Sequence, residues 1–524
     1  MAAWVPAHGA SAAVGASQED DDGISVSSMD SRERREPGQQ AGTGGAGESP
    51  GMSGARRRFL SQCLGLSLGT AGLALLAGAS PVAWAQAAAE GTVAPLKIAP
   101  LAFERRILAN GLELIALPQA GATVSVQVWY RVGGKDDPAG RSGFAHLFEH
   151  MMFKRTRYMA NEQFDRMTED VGGNNNAFTA DDMTAYHSVV PANHLEPLLW
   201  AEAERMSNLT VDQANFDSER AVVKEEFRQR VLAEPYGRLF HAVPRLGYQL
   251  HPYRRPVIGS IEELDAATVQ DVSAFHAQYY RPDNAVLIVT GAFDPVQLNR
   301  WVNHYFGSIR QPASAIPRVQ QSEPRRARDE LHQLKAPNVP LPAALLIWQG
   351  PKASSADAPV WQVAQGLLAM GESSRLNESL VYRQQLAQSA GFEAQLNADA
   401  GLLVAHAIAS GKQSAADLVA PLTRELQKLA EEPIAAAELE KVKAQLLTAA
   451  LIRRQTPLGL GEVLGEAALL RGDVQWVNRE LNDLQAVSAA DVQRVLKRDV
   501  LRGARVTVLY EAEAAPARKK VGKP

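Results

Sequence analysis

The stretch LDAATVQDVSAFHAQYYRPDNAVLIV, residues 264–289, has a diverged second copy in LQAVSAADVQRVLKRDVLRGARVTVL, residues 484–509. The offset between the two copies is 484 − 264 = 220, and the offset between Trp129 and its counterpart Trp348 is 348 − 129 = 219. Matching offsets at both ends of the unit favour a duplicated fold over a chance likeness of two helix–strand pairs. The sequence therefore predicts two similar lobes.

The first half of the repeat combines strand and helix periodicities. Residues 105–118 predict two strands around an Asn110–Gly111 turn, the strongest short hairpin signal, and residues 124–130 alternate as a strand with one buried face does. We expect further strands within 177–190 and at 285–290, and helices at 142–154, 161–169, 195–206, 212–232 and 269–278. This mixture predicts an α+β fold, in which each lobe is a mostly antiparallel mixed sheet packed with helices and the two lobes form a clamshell.

Composition divides the chain of 524 residues, which is too long for a single hydrophobic core, into six segments. We expect a disordered prefix at 1–54, a twin-arginine-type signal peptide at 55–87, an N-terminal lobe at 95–310, a Pro- and Arg-rich linker at 311–341, a C-terminal lobe at 342–512 and a basic tail at 513–524.

The segment after the prefix is typical of an export signal. ARRRFLSQ at 55–62 is followed by a Gly-interrupted apolar stretch at 64–79 and by A-x-A cleavage sites within 83–87. This order is that of a secretory signal, and RRxFL resembles a twin-arginine signal. An anchor helix is the alternative, but the apolar stretch is shorter than the roughly 20 residues that span a bilayer. We therefore expect a periplasmic protein with no stable membrane span.

Charge and cysteine content exclude two further classes of protein. The formal net charge is only −4, and both signs are interspersed, so the chain lacks the basic surface that nucleic acid requires. The single cysteine, Cys63, lies inside the signal, so a disulfide framework is excluded.

The segment GFAHLFEHMM, residues 143–152, carries the chemistry of a metal site. On a helix, His146 and His150 are four residues apart and stand one turn above the other, and Glu149 borders the same face. Imidazole nitrogens and a carboxylate suit Zn²⁺, which is held in a tetrahedral shell. The alternative is a helix whose His and Glu side chains make ordinary polar contacts.

A catalytic zinc keeps three protein ligands, so a third must come from elsewhere. The predicted helix SERAVVKEEFRQR at 218–230 offers Glu219, Glu225 and Glu226. Glu219 and Glu226 are seven residues apart and share a face, whereas Glu225 points about 100° away. We expect the pair to provide one ligand and one supporting carboxylate, and Glu225 to be solvated.

These motifs resemble the pitrilysin and insulinase family, the inverzincins, in which HxxEH is followed about 76 residues later by a ligating Glu; here 226 − 150 = 76. The likeness extends over roughly residues 95–512 and is closest to the short, two-domain processing-peptidase branch. Further family-like stretches are GGNNNAFTADDMTAYH, HPYRRPVIGS and YYRPDNAVLIVTG.

The resemblance implies that one zinc ion per chain is bound by His146, His150 and Glu226. It also implies that Glu149 is the general base of peptide hydrolysis and that Glu219 is the supporting carboxylate. Peptide substrates would add their backbone to an edge strand, although an ordinary core strand is the alternative there. The residues implied for that strand are Asn176, Ala177, Phe178 and Thr179.

The second lobe is expected to lack a metal site, because the repeat offset places Gln365, Leu368 and Ala369 opposite His146, Glu149 and His150. Family members that work alone also carry a stretch resembling LRxxxxLAYS in this lobe. In that register Val381 and Gln388 replace the Arg and the Tyr that reach the substrate carbonyl; Arg375 and Tyr382, also seven residues apart, are a shifted alternative.

The sequence thus predicts a zinc-dependent metalloendopeptidase that cuts peptides or small unfolded polypeptides. A homologous metal-free subunit is expected to supply the missing Arg and Tyr, which makes the chain the catalytic half of a heterodimer. Two alternatives stay open: a non-catalytic structural subunit of the same fold, and a periplasmic peptide-binding protein.

Overall fold

The computed structural model describes residues 96–513. The predicted disordered prefix, the predicted signal with Cys63, and the predicted basic tail from residue 514 onward lie outside the described residues. Between residues 96 and 513, no helix combines the length and the apolar character that crossing a membrane requires.

Two β-sheets and their packed helices make up the described chain. The strands are β1 Glu104–Ile107, β2 Glu113–Pro118, β3 Thr123–Tyr130, β4 Asn174–Thr179, β5 Thr184–Pro191, β6 Ala285–Gly291, β7 Glu330–Ala336, β8 Ala343–Gly350, β9 Ala387–Leu396, β10 Gly401–Ala409 and β11 Val506–Ala512. The α-helices are α1 Phe144–Met151, α2 Gln163–Glu169, α3 Leu195–Asn208, α4 Gln213–Phe227, α5 Gly237–Gly247, α6 Ile261–Asp265, α7 Val269–Tyr279, α8 Pro295–Phe306, α9 Ala358–Ala369, α10 Ala415–Glu431, α11 Ala436–Arg453, α12 Pro457–Leu470, α13 Glu480–Ala486 and α14 Ala489–Leu496. Every strand and helix predicted between residues 105 and 290 is present, with ends that differ by a few residues.

The two sheets repeat one topology. The first has the order β1-β2-β6-β3-β5-β4, and the second has the order β7-β11-β8-β10-β9. Each contains one parallel pair, β2 with β6 and β7 with β11, and all other pairs are antiparallel. The second order matches the first from β2 onward, strand for strand. The predicted duplication and the mostly antiparallel mixed sheets are therefore confirmed.

Each half of the chain contributes a helix that covers the sheet of the other half. Helix α12 packs on the first sheet, where a Cβ on Gly465 would lie 2.3 Å from the Trp129 ring, so only glycine permits this approach. Helix α5 packs on the second sheet, and a Cβ on Gly247 would lie 2.5 Å from Leu402. The first residues of the two helices differ in number by 457 − 237 = 220, which is the offset of the repeat.

Strand β3 departs from its prediction, because both of its faces are buried. Ser125, Gln127 and Trp129 have no exposed surface, although their alternation with valines indicated a half-exposed strand. Helix α12 covers that second face, and the Gln127 Nε2 donates a hydrogen bond to the backbone oxygen of Leu458 at 2.9 Å. The polar side chains are therefore paired inside the protein rather than solvated.

The interval 311–341, predicted as a linker, is bound to the fold along its length. Residues 330–336 within it form β7 of the second sheet. Earlier in the interval, the buried Arg281 donates a hydrogen bond to the backbone oxygen of Pro312 at 2.6 Å, and Glu323 accepts one from the backbone nitrogen of His251 at 2.8 Å. Side chains distant in sequence thus hold this connection in place, which composition does not reveal.

Candidate metal centre

Helices α1 and α4 bring together the three residues that the sequence motifs predicted as ligands. One ligand atom each from His146, His150 and Glu226 lies within 4.8 Å of the other two. Glu226 Oε2 is 3.6 Å from the Nε2 of His146 and 3.5 Å from the Nε2 of His150. The two Nε2 atoms and one carboxylate oxygen therefore converge on a common point.

The start of α1 is fixed by a side chain that the sequence did not single out. Both carboxylate oxygens of Asp137 accept backbone hydrogen bonds, from Gly143 at 2.7 Å and from Ala145 at 2.8 Å. Gly143 has a φ of 91°, which favours glycine at this helix start. Phe148 is fully buried and lies on the side of the helix opposite to the two histidines. This packing directs both imidazoles towards α4.

Glu219 lies behind His150 rather than among the converging atoms. Its Oε2 is 3.4 Å from the His150 Nδ1, and its Oε1 is 2.6 Å from the Lys154 ammonium. A carboxylate at the second imidazole nitrogen favours the tautomer that leaves Nε2 open to a metal. The Glu225 side chain is 56% exposed and forms a surface ion pair with Arg228, so its predicted solvation is confirmed.

The protonation of the cluster fits a site for a cation. Burial and the neighbouring His150 lower the pKa of His146 to about 4. Burial disfavours the charged form of His150, but its contacts with Glu219 and Glu226 outweigh it and raise the pKa of His150 to about 9. Burial likewise disfavours ionised Glu226, but His150, His146 and Arg230 outweigh it and lower the pKa of Glu226 to about 2. Without metal, a proton on His150 therefore balances the carboxylates.

The donor set satisfies the requirements of zinc. Two imidazole nitrogens and one carboxylate oxygen are the ligands of a catalytic zinc that keeps one position open. Without metal, His146 is neutral and Glu226 is ionised at pH 7, as ligands must be, whereas His150 has to release its proton when a metal binds. Within residues 96–513, this is the only group of three or more His, Cys, Asp or Glu side chains with ligand atoms so close together.

Glu149 lies beside the cluster and is held by one hydroxyl group. The Thr179 Oγ1 donates a hydrogen bond to the Glu149 Oε2 at 2.6 Å. Burial raises the pKa of Glu149, whereas the bond from Thr179 and the charge of His150 oppose that rise. A raised pKa makes the carboxylate a stronger base, which favours its use as a general base. The sequence did not reveal the contact with Thr179.

The residues predicted to receive substrate, Asn176 to Thr179, lie in an edge strand. Their strand, β4, pairs with β5 and ends the order of the first sheet. Phe178 packs its ring edge-to-face on Trp129 at 5.4 Å, and Ala177 packs against the core beneath α1. These two side chains serve the core, so an added peptide would be recognised through the backbone of the strand.

The second sheet lacks the metal ligands and uses the equivalent helix differently. Gln365 in α9 is the repeat equivalent of His146. Its Oε1 accepts a hydrogen bond from the backbone nitrogen of Ala394 in β9 at 2.9 Å. Leu368, the repeat equivalent of Glu149, is fully buried. A glutamine therefore binds a backbone donor of the edge strand in the second lobe.

The shifted alternative to the Arg and Tyr pair is not supported by the geometry. Arg375 forms two hydrogen bonds of 2.8 Å to Glu438, which already bind its guanidinium. The Tyr382 side chain is 54% exposed. Val381 packs against the core of the second lobe, and Gln388 is exposed on β9.

Comparisons with known proteins agree with this architecture. Residues 114–260 match the family described as Insulinase (Peptidase family M16), and residues 266–446 match the Peptidase M16 inactive domain. The chain is 30% identical to the zinc protease PqqE of Helicobacter pylori over 339 residues, which are 64% of this chain and 76% of that protein.

Two further similarities cover most of the described chain. The "probable mitochondrial-processing peptidase subunit beta" of Schizosaccharomyces pombe is 26% identical over 384 residues, 70% of this chain and 82% of that one. The crystal structure of a protease from Helicobacter pylori superposes with a TM-score of 0.76 at 26% identity, and covers 79% of this chain and 100% of its own. The chain therefore belongs to the insulinase family of peptidases, family M16.

Proposed function

We propose that the chain is a zinc-dependent metalloendopeptidase in which His146, His150 and Glu226 bind one zinc ion. The observation that carries this proposal is the convergence of two imidazole nitrogens and a carboxylate oxygen within 4.8 Å, beside the partly buried Glu149. The names of the relatives support it, since the protein from Helicobacter pylori is called a zinc protease.

The side chains around the cluster have distinct roles in this proposal. A bound zinc ion would act as a Lewis acid that lowers the pKa of water to near neutral and polarises a peptide carbonyl. Glu149 accepts the proton of the attacking water and then delivers it to the leaving amine. Glu219 orients the His150 ring from the side opposite to the cluster.

The substrates in this proposal are peptides or small unfolded polypeptides. A substrate in extended conformation would add to the free edge of β4, and backbone hydrogen bonds would hold it in register. Because such bonds are the same for most residue types, we infer a loose sequence preference.

We further infer that a homologous metal-free subunit completes the site. In the register of the family stretch LRxxxxLAYS, Val381 and Gln388 take the positions of the Arg and the Tyr, and neither provides an equivalent donor. The likeness to a protein named as a subunit of a processing peptidase supports this view. The twin-arginine-type sequence at 55–87 supports export to the periplasm.

The proposal is tested by Glu149→Gln, a change that keeps the size of the side chain but removes the base. The variant should bind as much zinc as the wild type and lose at least about 1000-fold in cleavage rate, since the amide of Gln cannot accept the proton. Cleavage of a quenched peptide is measured with and without chelator, for the chain alone and together with a homologous metal-free subunit.

The outcomes separate the three candidate functions. Cleavage that chelator abolishes, and that rises with the second subunit, supports the catalytic half of a heterodimer. Full activity of the chain alone removes the need for a partner. Zinc binding without cleavage in either preparation indicates a structural subunit, and peptide binding without zinc indicates a peptide-binding protein. Hydrolysis retained by Glu149→Gln would refute the role of Glu149.

A further inference from the structure

We propose that Thr179 is a positioning residue, whose hydroxyl group fixes the Glu149 carboxylate so that the strand that receives the substrate also sets the general base. This inference rests on the proposed function, because it assigns the proton transfer to Glu149. The sequence predicted only that Thr179 contacts the substrate. In this inference its side chain positions Glu149 instead.

The single proton of the Thr179 hydroxyl has two acceptors within reach. The Glu149 Oε2 lies at 2.6 Å, and the Thr184 Oγ1 lies at 3.5 Å. The Thr184 hydroxyl donates its only proton to the backbone oxygen of Val132 at 3.0 Å. It can therefore accept a hydrogen bond from Thr179 but has no proton left to donate to Glu149. The shorter bond to a carboxylate is the stronger one, and the Thr179 proton is therefore committed to Glu149.

Thr179 is held in place by the hairpin turn that follows it. It pairs with Thr184 across the β4–β5 hairpin. In the turn between them, Asp182 forms an ion pair of 2.8 Å with Lys135 and accepts a hydrogen bond from the Tyr253 hydroxyl. The backbone nitrogen of Ala398, in the second half of the chain, also donates to Asp182 at 2.9 Å. Contacts from both halves thus fix the end of β4.

The position of this bond has a direct catalytic consequence. With Oε2 held by Thr179, the other oxygen, Oε1, is the one that we assign to the proton transfer. The edge strand that places the scissile bond and the hydroxyl that places the base belong to one element, β4, so their relative positions do not depend on a flexible loop.

The test compares Thr179→Val, which removes the hydroxyl at nearly constant volume, with Thr179→Ser, which keeps it. We expect Thr179→Val to lower kcat roughly 10- to 100-fold, as loss of a hydrogen bond to a charged group does, with little change in KM or zinc content. Thr179→Ser should recover the activity to within about threefold of the wild type. Thr179→Ala is a second hydroxyl-free variant if the valine impairs folding.

Crystal structures of the zinc-bound variants give a readout that does not depend on activity. The Glu149 carboxylate should leave its position in Thr179→Val and keep it in Thr179→Ser. An unmoved carboxylate together with unchanged kcat in Thr179→Val would overturn the positioning role and leave the proposed peptidase intact. An equal loss in both variants would assign Thr179 to strand packing. If the wild type binds zinc but never cleaves peptide, the proposed function fails instead, and the carboxylate position in the crystals still decides the role of Thr179.

Discussion

Glu219 contacts the His150 ring on the side away from the candidate metal cluster. Its carboxylate is almost fully buried, lies 3.4 Å from the His150 Nδ1 and binds the Lys154 ammonium through its other oxygen. Contacts at both of its oxygens thus hold the carboxylate still, and an immobile carboxylate restrains the imidazole ring that it faces. A ring held in the correct tautomer loses less entropy when its Nε2 binds a metal.

Glu219→Gln should therefore weaken zinc binding roughly 10- to 100-fold, which is the usual effect of losing such a partner. Competition with a chromogenic chelator measures the affinity. Glu225→Gln, on the exposed side of the same helix, is the matched control and should bind zinc as the wild type does. Equal affinities for all three proteins would show that Glu219 has no influence on the metal.

The spacing of residues along the sequence predicted the candidate ligands. It did not predict the contacts between different helices and strands. His146 and His150 follow from the HxxEH spacing, and Glu226 follows from its distance to that motif, which is set by the family resemblance. The bond from Thr179 to Glu149 joins a strand to a helix across 30 residues, and no local pattern encodes it. The hydrogen bonds by which Asp137 caps α1 were not predicted, for the same reason.

At the scale of elements, the β4–β5 hairpin turn carries two aspartates, Asp181 and Asp182, that contact the second half of the chain. The Asn397 side chain donates a hydrogen bond to the Asp181 Oδ2 at 2.8 Å. Burial, with repulsion from Asp182, raises the pKa of Asp181 to about 7, against the attraction of Asn397 and Lys135. A carboxyl group whose pKa is higher in the folded state than in the unfolded chain binds its proton more tightly when folded.

Asp181 therefore costs stability as the pH rises from about 4, the pKa of the unfolded chain, to about 7. Asp181→Asn removes this cost and keeps an acceptor for Asn397. Its Tm should exceed that of the wild type by roughly 1–3 °C at pH 8 and equal it near pH 4. Thermal unfolding with chelator present measures this, so that metal occupancy does not vary with pH.

The neighbouring Asp182→Asn is the control for this comparison. It breaks the ion pair with Lys135 and should lower Tm at both pH values. If Asp181→Asn were less stable than the wild type at pH 8, the ionised carboxylate would be stabilising, which contradicts a raised pKa at Asp181.

At the scale of the whole molecule, the exchange of helices makes the two halves interdependent. The first sheet is covered on one face by α12 of the second half, and the second sheet by α5 of the first. The Thr290 hydroxyl donates to the backbone oxygen of Pro457 at 2.5 Å, and the Tyr510 hydroxyl donates to that of Pro235 at 2.9 Å, so hydrogen bonds connect the halves in both directions.

The repeat predicted two similar sheets but not this exchange. The constant offset between the copies indicates which segments are equivalent, whereas the sheet that a helix covers depends on the three-dimensional path of the chain. Ser125 and Gln127 misled the prediction of a half-exposed strand because they are polar residues paired beneath α12. Likewise, the composition of 311–341 indicated a linker, although β7 and several side-chain bonds fix it.

Anomalous diffraction at the zinc absorption edge, from crystals of the full chain grown with zinc, tests the central claim most directly. One peak per chain should lie about 2.0–2.2 Å from the Nε2 atoms of His146 and His150 and from an oxygen of Glu226, and Glu226→Gln should abolish or weaken it. A zinc-bearing chain whose peak lies elsewhere, with these imidazoles turned away from Glu226, would contradict the claim.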